Sequence, residues 1–249
     1  MASDRTFRLV DVHRVDSDGH ARQHVRAAVE ERLELRVDGR TVATATRTPD
    51  EDDALILGLL FAKGLIRSAS QVRALRRIAE DTGSAPGTVV DVTLHGDAEG
   101  GVPTSTGHAS ASWIVASAVV LALPDRLRTV QAGGAEPGGL HAAALFMPDG
   151  EIDGTPAEDV GRRAVVDKLI GRALQRGAWT LADRLLFSTG RTSPEVVERA
   201  AIAGIPIVAS TASASTMAID EARRRRITLI GSVRGTSFNI YSHPERVAL

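Results

Sequence analysis

Glu158-Asp159-Val160-Gly161-Arg162-Arg163-Ala164-Val165-Val166-Asp167-Lys168 is the stretch on which the fold turns. It reads as the opening of a capped helix. Thr155 can cap, Pro156 can take the first helical position and Glu158 the third, which together make a T-x-x-E capping box. Asp159 adds a second carboxylate near the positive end of the helix dipole. Val165, Leu169 and Ala173, with Val166, Ile170 and Leu174, then form an apolar stripe at helical spacing. Asp159, Arg163 and Asp167 follow at i, i+4 on one polar stripe, so residue physics alone predicts an amphipathic helix carrying solvated ion pairs.

Downstream the pattern alternates. Arg184 to Phe187, Ile205 to Ala209 and Ile227 to Ile230 read as short buried strands, and Phe238 to Tyr241 as a further one. Pro194 to Ala203 and Ser215 to Arg224 read as the helices between them. Strands alternating with amphipathic helices predict an α/β layered core with a mixed sheet. The strands leave into loops of one chemistry: Ser188-Thr189-Gly190-Arg191-Thr192-Ser193, Ser210 to Thr216 and Ser232 to Ser237. Two of these loops open helices, where free N–H groups point outward. Arg191 and Arg234 add guanidinium donors suited to phosphate. Ligands of open α/β sheets sit beyond the carboxyl ends of the strands. An anion or nucleotide pocket is therefore expected there, with Thr189, Gly190, Arg191, Ser193, Ser213, Ser215 and Arg234 as candidate lining.

Upstream, Phe7 to Val15 alternates as a strand, and Val29 to Val37 and Thr41 to Thr46 form a hairpin around Asp38-Gly39. Thr48 and Pro49 read as the cap and first residue of a helix running through Leu55, Leu59 and Leu60 to Gly64. Val72 to Ile78 and Thr88 to Leu94 are expected strands, with loops at Asp81 to Gly87 and Gly96 to Thr106. Ile114 to Leu123 reads as a buried helix stopped by Pro124, and His141 to Phe146 with Glu151 to Asp153 as a second hairpin. The central helix should end near Gly177. The chain is expected either to divide into a smaller strand-rich lobe with one helix, residues 1–105, and an α/β core, residues 106–249, or to fold as one large domain. Gly138-Gly139, just before His141, would let backbone approach a ligand or a strand closely. His108 has no dyad partner nearby in sequence and reads as an ordinary loop histidine.

The 249 residues are 43% hydrophobic and 24% charged with a formal net charge of −1, so no global basic field invites nucleic acid or an anionic membrane. Arg223 to Arg226 is too short a basic run to change that. The longest apolar run, Trp113 to Leu123, is too short to span a bilayer, and residues 1–10 lack the apolar core of a signal peptide. A cytoplasmic protein is expected. There is no cysteine, which excludes disulfides, thiolate metal sites and cysteine-based catalysis by these residues. No H-x-E…C-x-x-C pattern is present, so no metal site and no zinc-deaminase chemistry are expected.

The opening stretch resembles the E-D-V-G-R-H-N-A-x-D-K signature of the FdhD/NarQ family, the formate dehydrogenase accessory sulfurtransferases. Arg163 and Ala164 stand where that pattern has His and Asn. Other motifs resemble the family in consistent order over roughly residues 25 to 249. They are the T-P-x-D helix start, with Lys63 in place of an acidic residue further along, and Gly138, Gly139 and His141 of T-G-G-x-H-A-A, with Pro137 for the threonine. They continue through Thr189-Gly190-Arg191 with Ser193 and Glu195, Ala203-Gly204-Ile205-Pro206, and Ala212 to Ala218 with Ala214 for proline. The ending runs from Ile227 through Arg234-Gly235 and Phe238-Asn239-Ile240-Tyr241 to Glu245-Arg246. The family's C-x-x-C is missing; Gly107 and Ser110 fall nearest its place, and a hydroxyl cannot carry a persulfide.

The resemblance implies a cytidine-deaminase-like layered core, a homodimer, and a molybdenum bis-guanine-dinucleotide cofactor or GDP-like ligand. It also implies a cysteine desulfurase and a formate dehydrogenase-type oxidoreductase as partners. Gly138, Gly139, His141, Asp159, Arg162, Thr189, Gly190, Arg191, Ser193, Ser213, Ser215 and Arg234 are the residues it points to for holding the ligand. Holding survives the loss of the thiols; sulfur transfer does not. The leading expectation is a cofactor-holding member without its own relay. One alternative is a new enzyme on a nucleotide-like substrate, with Arg163, Asp167 or His141 recruited for acid–base work. Another is a noncatalytic subunit.

Overall fold

A computed structural model describes residues 6–80, 87–95, 113–131, 139–178 and 180–249. The first two strands, β1 (Phe7–Asp16) and β2 (Gly19–Ala28), pair with each other and, among the described residues, with no other strand. β1 is the expected first strand. β2 was not among the expected strands, although His20, Arg22, His24 and Arg26 alternate with Ala21, Gln23, Val25 and Ala27; the apolar side of that alternation is mostly small and carries Gln23, which makes it weak. The next hairpin, β3 (Glu31–Val37) and β4 (Arg40–Arg47), turns at Asp38 and Gly39, both at positive φ (49° and 77°), as a type I′ turn requires.

α1 (Asp52–Ala62) follows, then β5 (Val72–Glu80) and β6 (Gly87–Leu94), completing a four-stranded sheet in the order β4-β3-β6-β5. The helix starts later than Thr48. Glu51 occupies the N-cap at φ 56°, and Thr48 is engaged elsewhere: its N–H donates to both oxygens of Asp159 at 3.2 Å, and its hydroxyl accepts from the Val160 N–H at 3.3 Å.

The second half contains β7 (Val115–Ala116), α2 (Ser117–Val130), β8 (His141–Phe146), β9 (Ala157–Asp159), α3 (Arg162–Gln175), β10 (Leu185–Ser188) and α4 (Pro194–Ile202). It ends with β11 (Ile207–Ser210), α5 (Thr216–Arg225), β12 (Thr228–Arg234), β13 (Ser237–Ser242) and β14 (Val247–Ala248). Six strands form a mixed sheet in the order β13-β12-β11-β10-β8-β9, with β10, β11 and β12 parallel and the others antiparallel to their neighbours.

Strand alternation sorts the core. Ala143, Leu145, Leu186, Val208 and Leu229 face α3, α4 and α5; Ala142, Ala144, Phe146, Leu185, Phe187, Ile207 and Ala209 face α2. α1 is buried on all sides between the four-stranded sheet and α3, and one apolar cluster runs through all three. The α1–α3 crossing rests on two glycines. A Cβ at Gly58 would lie 2.0 Å from the Asp167 carbonyl oxygen, and one at Gly171 would lie 1.8 Å from that of Ala54.

Two helix expectations are corrected. Residues 155–159 do not open the central helix: 157–159 form β9 on β8, and α3 begins after an N-cap at Gly161 that receives no side-chain cap. Arg172 holds the strand-side conformation by donating to the carbonyls of Thr155 at 2.8 Å and Pro156 at 3.0 Å while pairing with Glu51 on α1. Pro124 does not stop α2, and Ile114 lies outside that helix and exposed. Pro124 removes one N–H from the ladder, yet Val120, Leu123 and Leu127 on both sides of it are buried in one cluster, so packing carries the helix past it. Among the described residues no helix is long and apolar enough to cross a membrane.

Candidate functional site

The connection from β9 to α3 is held by an enclosed carboxylate. Asp159 is fully buried and lies 2.7 Å from the Lys168 ammonium, itself 1% exposed. Its oxygens also accept from the N–H groups of Gly161 at 2.7 Å and Thr48 at 3.2 Å, and Lys168 donates onward to the Glu158 carbonyl at 3.2 Å. Burial pushes the Asp159 carboxyl above the ordinary 3.8, with Lys168 pulling the other way. Asp159 therefore positions the start of α3 and binds β4 to it; its oxygens are occupied within the protein. The close approach depends on Gly161, where a Cβ would sit 2.8 Å from the Thr46 carbonyl oxygen.

Further along, on α3, Asp167 sits at the floor of a groove and pairs with Arg199 of α4. Burial raises its carboxyl as well, against the pull of Arg199. Both acids expected on a solvated stripe are thus inside the protein, each with its own cation. Sequence spacing missed this because Asp159 lies outside the helix and Arg199 is thirty-two residues away from Asp167.

Above that floor the groove, about 710 Å³, runs between the β3–β4 hairpin, the end of α1 and the N-terminus of α3. Arg32, Lys63, Arg162, Arg163 and Arg199 line it, with His141, Ser193 and Glu195. Among the described residues, Arg32, Lys63 and Arg163 have no carboxylate within salt-bridge distance, although Arg163 acts through space on Asp167 and Glu195 and Arg32 on Glu34. The Ser193 hydroxyl holds the Glu195 carboxyl below its ordinary value, helped by Arg163 and Arg199. The uncapped N-terminal turn of α3 adds its free N–H groups and positive dipole end.

His141 is half-buried at the groove edge and accepts from Arg162 Nε at 3.3 Å through Nε2. Desolvation, and then the neighbouring Arg162, lower its pKa below 6.5, so it stands neutral as an acceptor at neutral pH. The chemistry assembled here is recognition of an anion: cations, amide N–H groups and a neutral imidazole. Asp167, committed to Arg199, is not a free base. Among the described residues no group of His, Asp or Glu could hold a metal ion.

The other expected residues divide between this groove and its surroundings. Gly190 and Arg191 line a small depression adjoining it, shared with His141 and Arg162. Thr189 accepts from the Ala142 N–H at 3.0 Å through its hydroxyl and so locks β10 to β8. Ser215 caps α5 by accepting from the Ala218 N–H at 3.2 Å, Ser213 is exposed, and Arg234 donates to the Thr211 carbonyl at 3.2 Å. The hydroxyl-rich loops are thus largely laced to one another. Gly139 is present at φ 76°; Gly138, Pro137, Gly107, His108, Ser110 and the loops at 81–86 and 96–106 lie outside the described residues. Arg32, Lys63 and Arg199 were not among the expected ligand residues. Lys63 carried a signal as a cation in place of an acid, whereas Arg32 and Arg199 reach the groove only through tertiary packing.

A family model described as the FdhD/NarQ family matches residues 28–248. The sulfur carrier protein FdhD of Streptomyces avermitilis is 36% identical, with 88% of each chain covered. That of Mycobacterium tuberculosis is also 36% identical, covering 88% of this chain and 91% of the relative. A solved structure described as a "putative formate dehydrogenase accessory protein" from Desulfotalea psychrophila superposes with a TM-score of 0.77 at 22% identity, covering 98% of this chain and all of that one. At that identity the superposition speaks for the fold.

Proposed function

The chain belongs to the FdhD/NarQ family, and we propose that it serves as an accessory protein that holds a guanine-dinucleotide form of the molybdenum cofactor, or a GDP-like ligand, for a formate dehydrogenase-type oxidoreductase. The observation that carries this reading is the groove at the head of α3. Its floor acid, Asp167, is already paired with Arg199, and Arg32, Lys63, Arg162 and Arg163 outnumber Glu195, the other carboxylate on the lining, and are there to meet an anion. A pyrophosphate between guanidinium groups and helix N–H donors is what such a donor set recognises. The groove volume lies within the range of small-ligand sites. The cofactor is cargo here, and the protein's part is to bind and orient it.

The relatives are named as sulfur carriers. This chain has no cysteine, so we assign it no thiol relay of its own; a thiol for sulfur delivery would come from a partner. Isothermal titration with GDP tests the reading. Binding is expected, weakened by about tenfold or more in Arg163→Ala or Arg162→Ala, since each removes a charge-assisted contact. It should be unchanged in Arg22→Ala on the distant hairpin. A folded protein that binds no guanine nucleotide would overturn it.

A further inference from the structure

α1 and α3 pack antiparallel, and their closest contacts recur one turn apart. A side chain at Gly171 would strike the Ala54 carbonyl, and one at Gly58 would strike that of Asp167, so four residues up α1 answer to four residues down α3. The next step along the same crossing carries Ala62 toward Arg163. It sets Lys63, the C-cap of α1, beside the first turn of α3, and Lys63 and Arg163 both line the groove. The carbonyl end of α1 favours a cation at that point, which lets the two like charges stand side by side.

Three helices each give the groove two residues at i, i+4: Leu59 and Lys63 of α1, Arg163 and Asp167 of α3, Glu195 and Arg199 of α4. Asp167 and Arg199 are spent on each other. Glu195 is turned to the Ser193 hydroxyl and lies in the field of Arg163 and Arg199. Among the described residues Lys63 has no carboxylate within salt-bridge distance. On the whole lining the five cations Arg32, Lys63, Arg162, Arg163 and Arg199 stand against two carboxylates, Asp167 and Glu195.

We propose that Lys63 and Arg163 together form a subsite for a terminal phosphate, so that the groove takes a ligand with a free phosphate end rather than a pyrophosphate esterified at both ends. The inference rests on the groove being the anion site, and it chooses between the dinucleotide cofactor and a GDP-like ligand. A phosphate inside a pyrophosphate diester carries a single negative charge. A terminal phosphate loses a second proton with a pKa of about 6 and approaches a dianion near neutral pH. The dianion can use two neighbouring cations at once; the diester phosphate cannot. Position 63 has an acid in the family pattern, which would repel such a dianion, and the ammonium here attracts it. Arg163, in place of His, supplies a charge that stays on at every physiological pH.

Isothermal titration in EDTA with GDP and with its β-methyl ester tests this, because the two ligands differ by one methyl group and one negative charge. The parent should bind GDP roughly tenfold more tightly than the ester. Lys63→Glu lies at an exposed helix end, and circular dichroism confirms its fold; there the ratio should fall to about one or below. Arg128→Glu, the same change of charge on α2, should keep the parent ratio. Equal binding of GDP and the ester by the parent, or a preference that survives Lys63→Glu, would overturn the subsite and leave guanine recognition standing. Inorganic pyrophosphate separates the two ideas in the other direction. If it binds, and loses affinity in Lys63→Glu, while neither guanine compound binds, the subsite stands and guanine recognition falls. A folded protein that binds none of the three overturns both.

Discussion

The head of α3 and the β1–β2 hairpin are both rich in charge, and they use it in opposite ways. At α3, Asp159 and Lys168 are enclosed, each satisfied by its partner and by backbone groups of Thr48, Glu158 and Gly161. On the hairpin, Asp11 and His24 form as short a pair at 2.6 Å, but both are more than two-thirds exposed. The pair lengths are alike and the physics is not. Water screens the hairpin pair and can replace either partner, so it contributes little to folding. Inside the protein no such replacement exists, and removal of one ion strands the other. The enclosed pair fixes where α3 begins; the exposed charges stay in water.

The sharpest way to break the comparison is to attack the packing that encloses the α3 pairs. Gly171→Val puts a side chain where a Cβ already meets the Ala54 carbonyl oxygen at 1.8 Å, backbone against helix. α1 and α3 cannot both keep their places, and α1 has no exposed face toward which to move. The expected loss is about 5 kcal/mol or more, read by urea denaturation, which places it among the exceptional single substitutions. A loss below about 1 kcal/mol would mean that the helices are not pressed together there, and the enclosure argument would fail with it.

Next in size is the ion itself. Lys168→Met keeps the volume and the helix propensity and leaves Asp159 buried without its cation. The expected cost near neutral pH is about 3–5 kcal/mol. Its pH dependence identifies the cause. The Asp159 carboxyl already stands above 3.8 through burial, and without Lys168 it rises further. A raised folded-state pKa means that the folded protein binds the proton more readily than the unfolded chain. Stability linked to this group is therefore fully present below about pH 4 and is lost as pH rises through the folded-state value. Relative to the parent, the variant should regain stability on acidification toward that range. A pH-independent deficit would assign the loss to packing instead.

How far the sequence could show this follows from the same contrast. β10, β11, α4 and α5 were legible within a residue or two, because burial writes a period into the chain: Leu185 to Ser188 and Ile207 to Ser210 are apolar runs bounded by loops, whereas β12 runs four residues past the expected Ile230, and the strand expected at Glu151 to Asp153 reduces to a single bridge between Ile152 and Phe146. The Asp38-Gly39 turn was legible because its backbone conformation restricts the residue type. The head of α3 was misread because Thr155, Pro156 and Glu158 satisfy a local capping rule while a tertiary demand, the carboxylate of Asp159 between Thr48 and Lys168, overrides it. Of the candidate site, His141, Arg162, Arg163, Asp167 and Ser193 were all picked out and all meet in one groove. Arg32 and Arg199 come from other elements and have no local pattern to reveal them, and the alternation along β2 is weak because its apolar side is mostly alanine.

The smallest effect tests the other side of the comparison. Asp11→Asn removes one partner of the His24 pair while preserving shape and strand position, and both groups remain in water either way. Unfolding of the dilute protein should be indistinguishable from that of the parent, because solvation replaces what the pair supplied. Thermal unfolding at low and at high salt is the measurement. Parent and variant should coincide in both, whereas Lys168→Met should fall short in both, since added salt does not reach an enclosed pair. If instead Asp11→Asn destabilised the protein strongly in a salt-independent way, Asp11 would have to be covered in solution. Contact with the protein's own body would be what covers it. The hairpin would then be a folded-back element rather than an arm, and the contrast between the two regions would be lost.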